Sequence, residues 1–554
     1  MGMAANTDVA PRLGLRPAAA TFLAILPASA LFVFHASLYG GWLIDDAGIS
    51  FAYARNLAAG YGLVSQPGQV PVEGFSNPLW VLLIAVCYAL KLFSVPLLPK
   101  LLGCVFTMAS FAVFAAVVLE IMDGWEAPVV TCVGLLLTAA NPGFVVWCVS
   151  GLENPLLVLL GSVLLLTALR TLHSPPEDLR RPVYAGILAG GLALTRPDAV
   201  LYSVFFPFVL LLRNDRPRVA VLTKPFLAYA LSMAVPFGIY LLFRRLYFHD
   251  WLPNTYYAKP GVSGLPLGDL LQVDGPGVEK LIGLSRAILP YAPVLIPLLF
   301  VTVAFRWRRL GPGVGLLAVF AALTFLPILL LPPDWMGEYR FGTLAFPTTY
   351  LLGFVLLSQL LTGDGLPLPK PQLLAVGGLF VLVASAGLFL SRTRVLLDHP
   401  VAPLEGVGAA AWKYNELIDG LGLRHPSLLA PDLGGTLLLS HARVVDLAGL
   451  CDKRIGRMYQ ARVSPAQFSE YILDTVKPDL IHMHLYWAAA SGLKKSPRFT
   501  VDYLDLGDGD FVRRTSLPAG MDDSSVRALK ARLMGPPSEG MLRASLSAVT
   551  IPTP

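Results

Sequence analysis

Residues 43–80 read LIDDAGISFAYARNLAAGYGLVSQPGQVPVEGFSNPLW. An apolar run at 18–39 precedes this stretch and another at 78–98 follows it, so it is a polar loop between two segments long enough to enter a bilayer. Asp45-Asp46 comes directly after the first run. Next come an amphipathic, arginine-bearing helix over 49–59, a Gly60-Tyr61-Gly62 turn and a Pro67-Gly68 turn. Glu73-Gly74-Phe75-Ser76-Asn77-Pro78 then enters the second run. This order of turn residues and amphipathic helix predicts an ordered loop lying along a membrane surface.

Outward from the loop, apolar segments recur at 101–121, 128–149, 154–170, 183–194, 199–212, 222–243, 288–305, 312–331, 345–362 and 372–391. A hydrocarbon core of about 30 Å needs about 20 apolar residues per helical crossing. The chain of 554 residues is 55% hydrophobic and 14% charged, against about 25% charged in a soluble domain. The expected fold is mainly α: a polytopic transmembrane helical bundle of roughly 11–12 membrane segments over residues 1–391. An extracytoplasmic soluble α/β domain is expected over 392–554. Ala18 to Tyr39 exceeds a signal-peptide core and reads as an uncleaved helix, although Ala28-Ser29-Ala30 is compatible with cleavage.

Short loops carry Arg12 and Arg16, Arg180 and Arg181, Arg213, Arg216 and Arg218, and Arg306, Arg308 and Arg309. By the positive-inside rule these face the cytoplasm, which places 40–77, 246–287, 332–344 and the tail outside a plasma or inner membrane. Arg244 and Arg245 oppose the rule at an outer end. A parity conflict also arises. Counting forward from residue 78 puts Glu153 inside and counting back from the tail puts it outside, so one segment does not cross. The expected offenders are 128–149, broken by Asn141-Pro142-Gly143, and the short pair at 183–194 and 199–212.

In the tail, a helix is expected over 408–420, strands near 427–430, 443–447 and 479–482, a helix near 465–475 and irregular chain after Leu517. Four cysteines lie in apolar segments and Cys451 has no evident partner, which suggests neither a disulfide framework nor a metal cluster. His482 and His484 alternate along an expected strand with no third ligand, and read as surface or core residues. The net charge of +6 comes from the arginine loops, so no nucleic-acid partner is expected.

The loop resembles the GT-C superfamily of membrane glycosyltransferases, in particular the group containing the mycobacterial arabinofuranosyltransferases that use decaprenyl-phosphate arabinose. The strings DDA-I-S, N-L, G-GLV and VEG-S-N-PLW carry the likeness. Ser150-Gly151-Leu152-Glu153, Thr195-Arg196-Pro197-Asp198, Leu252 to Lys259, Asp334-Trp335-Met336, Arg340-Phe341 and Asp446 to Asp452 extend it in the same order. Gly48 stands where that group has a bulky apolar residue, and Ala52 where an arginine follows Phe51. The resemblance implies that Asp45 and Asp46 are the catalytic pair. It implies substrate contacts by Glu73, Asn77, Glu153, Asn254, Tyr257, Lys259, Asp334 and Arg340.

The chemistry asks for these residue types. Moving a sugar from a lipid phosphate develops positive charge on the sugar ring and negative charge on the leaving phosphate. An aspartate serves as general base toward the acceptor hydroxyl, and a guanidinium or ammonium neutralises phosphate. The implied enzyme is an inverting glycosyltransferase, using a polyprenyl-phosphate sugar and a glycan, lipid or protein acceptor of the cell envelope. No cofactor is certain, and a divalent cation (Mg, Mn or Ca) would help.

Each residue also has a plainer reading. The acidic pair could be a helix terminus, Glu153 a helix-start acid, Asp334 a turn cap, and Arg340 and Lys259 cations reaching lipid headgroups. A transporter or flippase of a lipid-linked sugar is the alternative function, but it calls for ionisable groups at helix midplanes, and here they cluster at the ends.

Overall fold

A computed structural model describes residues 16–175, 177–212, 219–259, 275–332, 334–361 and 367–533; most of the expected outer loop at 246–287 beyond Lys259 and the end of the tail lie outside them. The protein is a multi-pass membrane protein. Six described helices are long and apolar enough to span a membrane, and two bent pairs bring the number to eight. Shorter apolar helices, Pro197–Val209 and Ala345–Leu360 among them, complete the bundle. Close approach depends on small residues, as expected where lipid and side chains are equally apolar. Gly186 of helix Arg180–Thr195, for example, lies against the Tyr229 carbonyl and Ser232 of helix Val219–Tyr247.

The helix ends sort into two sets. At one end Glu120 pairs with Arg170 at 2.7 Å, and Glu126 lies 3.6 Å from Lys370. At the other end Asn77, Glu153 and Arg196 meet. The apolar helix Pro78–Ala89 keeps both of its ends at this second end. It starts beside Asn77, and just beyond it Phe93 packs on Phe51 of the loop helix Asp45–Ala58 at 5.1 Å between ring centroids. Helix Leu97–Ile121 also starts there, with Gly103 against the Cys148 carbonyl, and runs to the Glu120–Arg170 end.

The reading of 78–98 as a span is therefore corrected, and the parity conflict resolves in favour of Glu153 lying on the loop side. The segment is apolar for a different reason. Trp80, Val81 and Ile84 are buried against protein while Leu82, Val86 and Leu90 stay exposed, the pattern of a helix lying at the membrane surface. Of the suspected regions, 128–149 and 183–194 run from the Glu120–Arg170 end to the loop side. Asn141-Pro142 bends one span by 74°, and the Asn141 side chain caps Gly143 and donates to the Ala287 carbonyl. Helix Arg180–Thr195 runs from Arg181, bonded to the Arg170 carbonyl, to Arg196 on the loop side.

The last long helix, Lys370–Asp398, leads into the tail. Five strands form one sheet: β1 (Ser427–Ala430), β2 (Arg443–Asp446), β3 (Leu480–His482), β4 (Tyr503–Gly507) and β5 (Asp510–Arg513), in the order β2-β1-β3-β5-β4. The first three are parallel, and β4–β5 is an antiparallel hairpin absent from the sequence expectation. Leu428, Leu480 and Val512 face one apolar core with helix Leu404–Gly420, whereas Leu429, Ile481 and Phe511 face another. The chain beyond Leu517 is not wholly irregular: Asp523–Leu533 is a helix that buries Val526 in the first core.

The tail is seated on the loop. Ile44 bridges Pro403, and Arg55 donates to the carbonyls of Leu437 and Leu438. Gln66 bonds Ala442 and Val444. Gly48 explains its departure from the bulky residue of the resembling group: a Cβ there would strike the backbone of Gly434 and the Leu404 side chain.

Candidate active site

The two adjacent aspartates of the loop helix have different surroundings. Asp45 is buried, and its carboxylate accepts from the Gly434 amide at 2.9 Å and the Gly435 amide at 2.7 Å. Burial pushes its carboxyl up to about 7 against the pull of those amides, and the charges of Asp46 and Asp432 push the same way.

Asp46 is half-buried and faces charge. Lys259 and Arg340 lie near enough to favour its ionised form, and Asp334 and Glu153 to oppose it. Burial is the largest influence and raises its pKa overall. Desolvation lowers that of Lys259, and Asp46 works against the shift.

The arginines are anchored from behind. Arg340 lies 3.0 Å from Asp334, over the rings of Trp147 and Phe341. Its carbonyl is held by Asn154. Glu153 accepts from Asn77 at 2.7 Å and from Arg196 at 2.8 Å, and Asn77 in turn accepts from Ser50 of the loop helix. Arg196 also pairs with Asp198 at 3.1 Å. Phe341 is sandwiched, with the Arg196 guanidinium 4.8 Å from its centroid and that of Arg340 at 5.1 Å.

The structure thus gathers Asp46, Asn77, Glu153, Lys259, Asp334 and Arg340 of the sequence-predicted residues. It holds the others elsewhere. Glu73 is clamped by Arg244, at 2.5 Å and 3.0 Å, and by Tyr240 at 2.7 Å, which is why an arginine stands at that helix end. Asn254 donates to the carbonyls of Gly449, Leu450 and Asp452, and Tyr257 stacks on Arg457. These three residues, with Asp45, join the loops to each other and to the tail.

Arg196 and Phe341 join these residues without standing among the expected substrate contacts. The signal was available, since an arginine closing an apolar helix must be buried with an acid or not at all. The contribution of Trp147 had no sequence signal. Among the described residues, no three His, Cys, Asp or Glu side chains converge as a metal-ligand group.

No family model and no curated protein sequence matches the chain. Solved structures do match in shape. One is ArnT from Cupriavidus metallidurans bound to undecaprenyl phosphate, at TM-score 0.53 and 15% identity, over 84% of this chain and 93% of that one. Another is the archaeal oligosaccharyltransferase AglB from Archaeoglobus fulgidus, in complex with an inhibitory peptide and a dolichol-phosphate. It matches at TM-score 0.51 and 12% identity, over 89% of this chain and 75% of that one. The fold is of the GT-C type. In this fold the surface loop after the first helix contributes Asp46, and the loops after later helices contribute the cations around it.

Proposed function

We propose that the chain is an inverting membrane glycosyltransferase that takes a sugar from a polyprenyl phosphate on the extracytoplasmic face. Its acceptor is a glycan, lipid or protein of the cell envelope. The observation that carries this reading is the half-buried Asp46 facing Lys259 and Arg340 at one end of a helical bundle. Supporting it, a neighbour of the same fold is bound to undecaprenyl phosphate. The donor sugar in this reading is a hexose or a pentose.

In the proposed reaction the acceptor oxygen attacks the anomeric carbon, and the bond from that carbon to the phosphate oxygen breaks with its electron pair going to phosphate. Asp46 takes the acceptor proton. Arg340 and Lys259 hold the leaving phosphate, and Glu153, Asn77 and Arg196 fix the wall behind them. A divalent cation would supplement this charge neutralisation without being required, because Arg340 and Lys259 already supply positive charge beside Asp46.

The test is transfer of labelled sugar from a polyprenyl-phosphate donor by protein purified in detergent, where no compartments exist. Transfer or donor hydrolysis is expected. A transporter or flippase would give neither.

A further inference from the structure

The proposed reaction leaves one cleft of the tail unused. A cavity of about 180 Å³ opens between helix Leu404–Gly420 and the carboxyl ends of β1 and β3. β2 and β3 lie on opposite sides of β1, so the chain leaves β1 and returns to β3 in opposite directions. Open α/β sheets bind ligands where such a switch parts the strands.

The lining has two characters. Val407, Ala410 and Leu428 form an apolar wall, and Asp432, Tyr414 and His482 form a polar one. The polar side is a built network. His482 Nδ1 lies 2.8 Å from Asp510, Lys530 pairs with the same buried carboxylate at 2.8 Å, and the Tyr414 hydroxyl donates to it. With Nδ1 engaged, Nε2 is the imidazole's remaining polar atom. Asp432 keeps 44% of its side chain exposed, with the His484 Nε2 3.9 Å from its carboxylate.

We propose that this cleft binds a neutral saccharide, the sugar of the acceptor that precedes the one receiving the transferred residue. The apolar wall suits the C–H face of a sugar ring, while a carboxylate and an imidazole suit its hydroxyls. Asp432 disfavours an anionic ligand, and the volume lies below the roughly 300–1,000 Å³ of pockets for drug-sized molecules, which suits one ring of a chain. The cleft is also joined to the reaction centre through the chain. Asp432 sits two residues before Gly434, whose amide holds Asp45, and Asp45 adjoins Asp46. The identification of the ligand as acceptor rests on the glycosyltransferase reading.

The experiment is saturation-transfer NMR of neutral pentose and hexose di- and trisaccharides, each at about 10 mM, with the full chain in nanodiscs. Wild type is expected to bind at least one, Ala410→Trp to bind it about tenfold more weakly or not at all, and Lys259→Ala to bind it normally. Asp432→Asn, at an exposed position, gives a second reading should the tryptophan disturb folding, and is expected to weaken binding about threefold or more. No binding by wild type overturns the proposal. So does binding unchanged in both cleft variants, or binding lost with Lys259→Ala, which would place the sugar in the membrane-side cluster. Donor hydrolysis without acceptor is measured in parallel. Absence of both hydrolysis and transfer from wild type would remove the glycosyltransferase reading and leave the saccharide-binding result standing.

Discussion

Adjacent residues on one helical turn point in different directions, and Asp45 and Asp46 illustrate how that separates structure from chemistry. Each Asp45 oxygen accepts one backbone amide. Asp45→Asn would turn an NH₂ toward an N–H and is expected to cost about 1–3 kcal/mol of stability, seen as a lowered unfolding temperature. Asp46→Asn preserves size and loses the base, so turnover should fall by about 10²-fold or more with donor affinity little changed. Near-normal turnover in Asp46→Asn would remove the catalytic assignment. pH separates the roles further. The raised pKa of Asp46 predicts that turnover declines on acidification with an apparent pKa above the ordinary aspartate value of about 4. A group with a raised folded pKa contributes to stability fully below its unfolded value and loses that contribution as pH rises through the folded one. Stability from Asp46 and turnover should therefore change in opposite directions over that window. A turnover profile flat from pH 4 to neutrality would contradict the assignment. The sequence marked this pair without distinguishing its members, because the amides that occupy Asp45 lie in the tail, 389 and 390 residues away.

At the scale of elements, the bundle and the surface loop were legible because apolar length and turn chemistry are local properties. The fate of 78–98 was not. Its length and apolarity match a span, and only packing on the loop helix shows that it returns to the side it left. A cysteine at Lys91 should then react with a membrane-impermeant reagent from the same side as a cysteine at Gly507; labelling from opposite sides would restore the crossing. The hairpin β4–β5 is hidden for a similar reason, since Asp505, Asp508 and Asp510 mask an alternation that depends on partners. The Glu73–Arg244 clamp gives another expectation. Arg244→Met leaves a buried carboxylate with Tyr240 alone, at a cost of about 3–5 kcal/mol, measurable as a loss of thermal stability. An unchanged unfolding temperature would show the clamp to be idle.

Across the whole molecule, the tail closes on the loop through glycines. A Cβ on Gly434 would overlap the Asp45 carbonyl, so Gly434→Val should lift the tail from the loop and abolish transfer while the bundle stays helical by circular dichroism. Transfer at wild-type rate in that variant would mean that seating is dispensable. On metal, activity should persist in excess chelator and rise with added magnesium; complete loss, restored by the ion, would make the cation part of the centre. The sequence showed a soluble tail but not its seat, because contacts such as Arg55 to Leu437 and Leu438 join residues that no local pattern relates.

The clamp on Asp45 also sets an order of events during synthesis. At about 5–20 residues per second, the glycines that hold Asp45 leave the ribosome about 20–80 s after it. Throughout that interval the growing chain has inserted helices and a loop with no seat, so a nascent protein should be unable to consume donor until its last domain has folded. Ribosome-arrested chains ending before residue 434 would test this: donor cleavage by them would show that the centre assembles without its clamp.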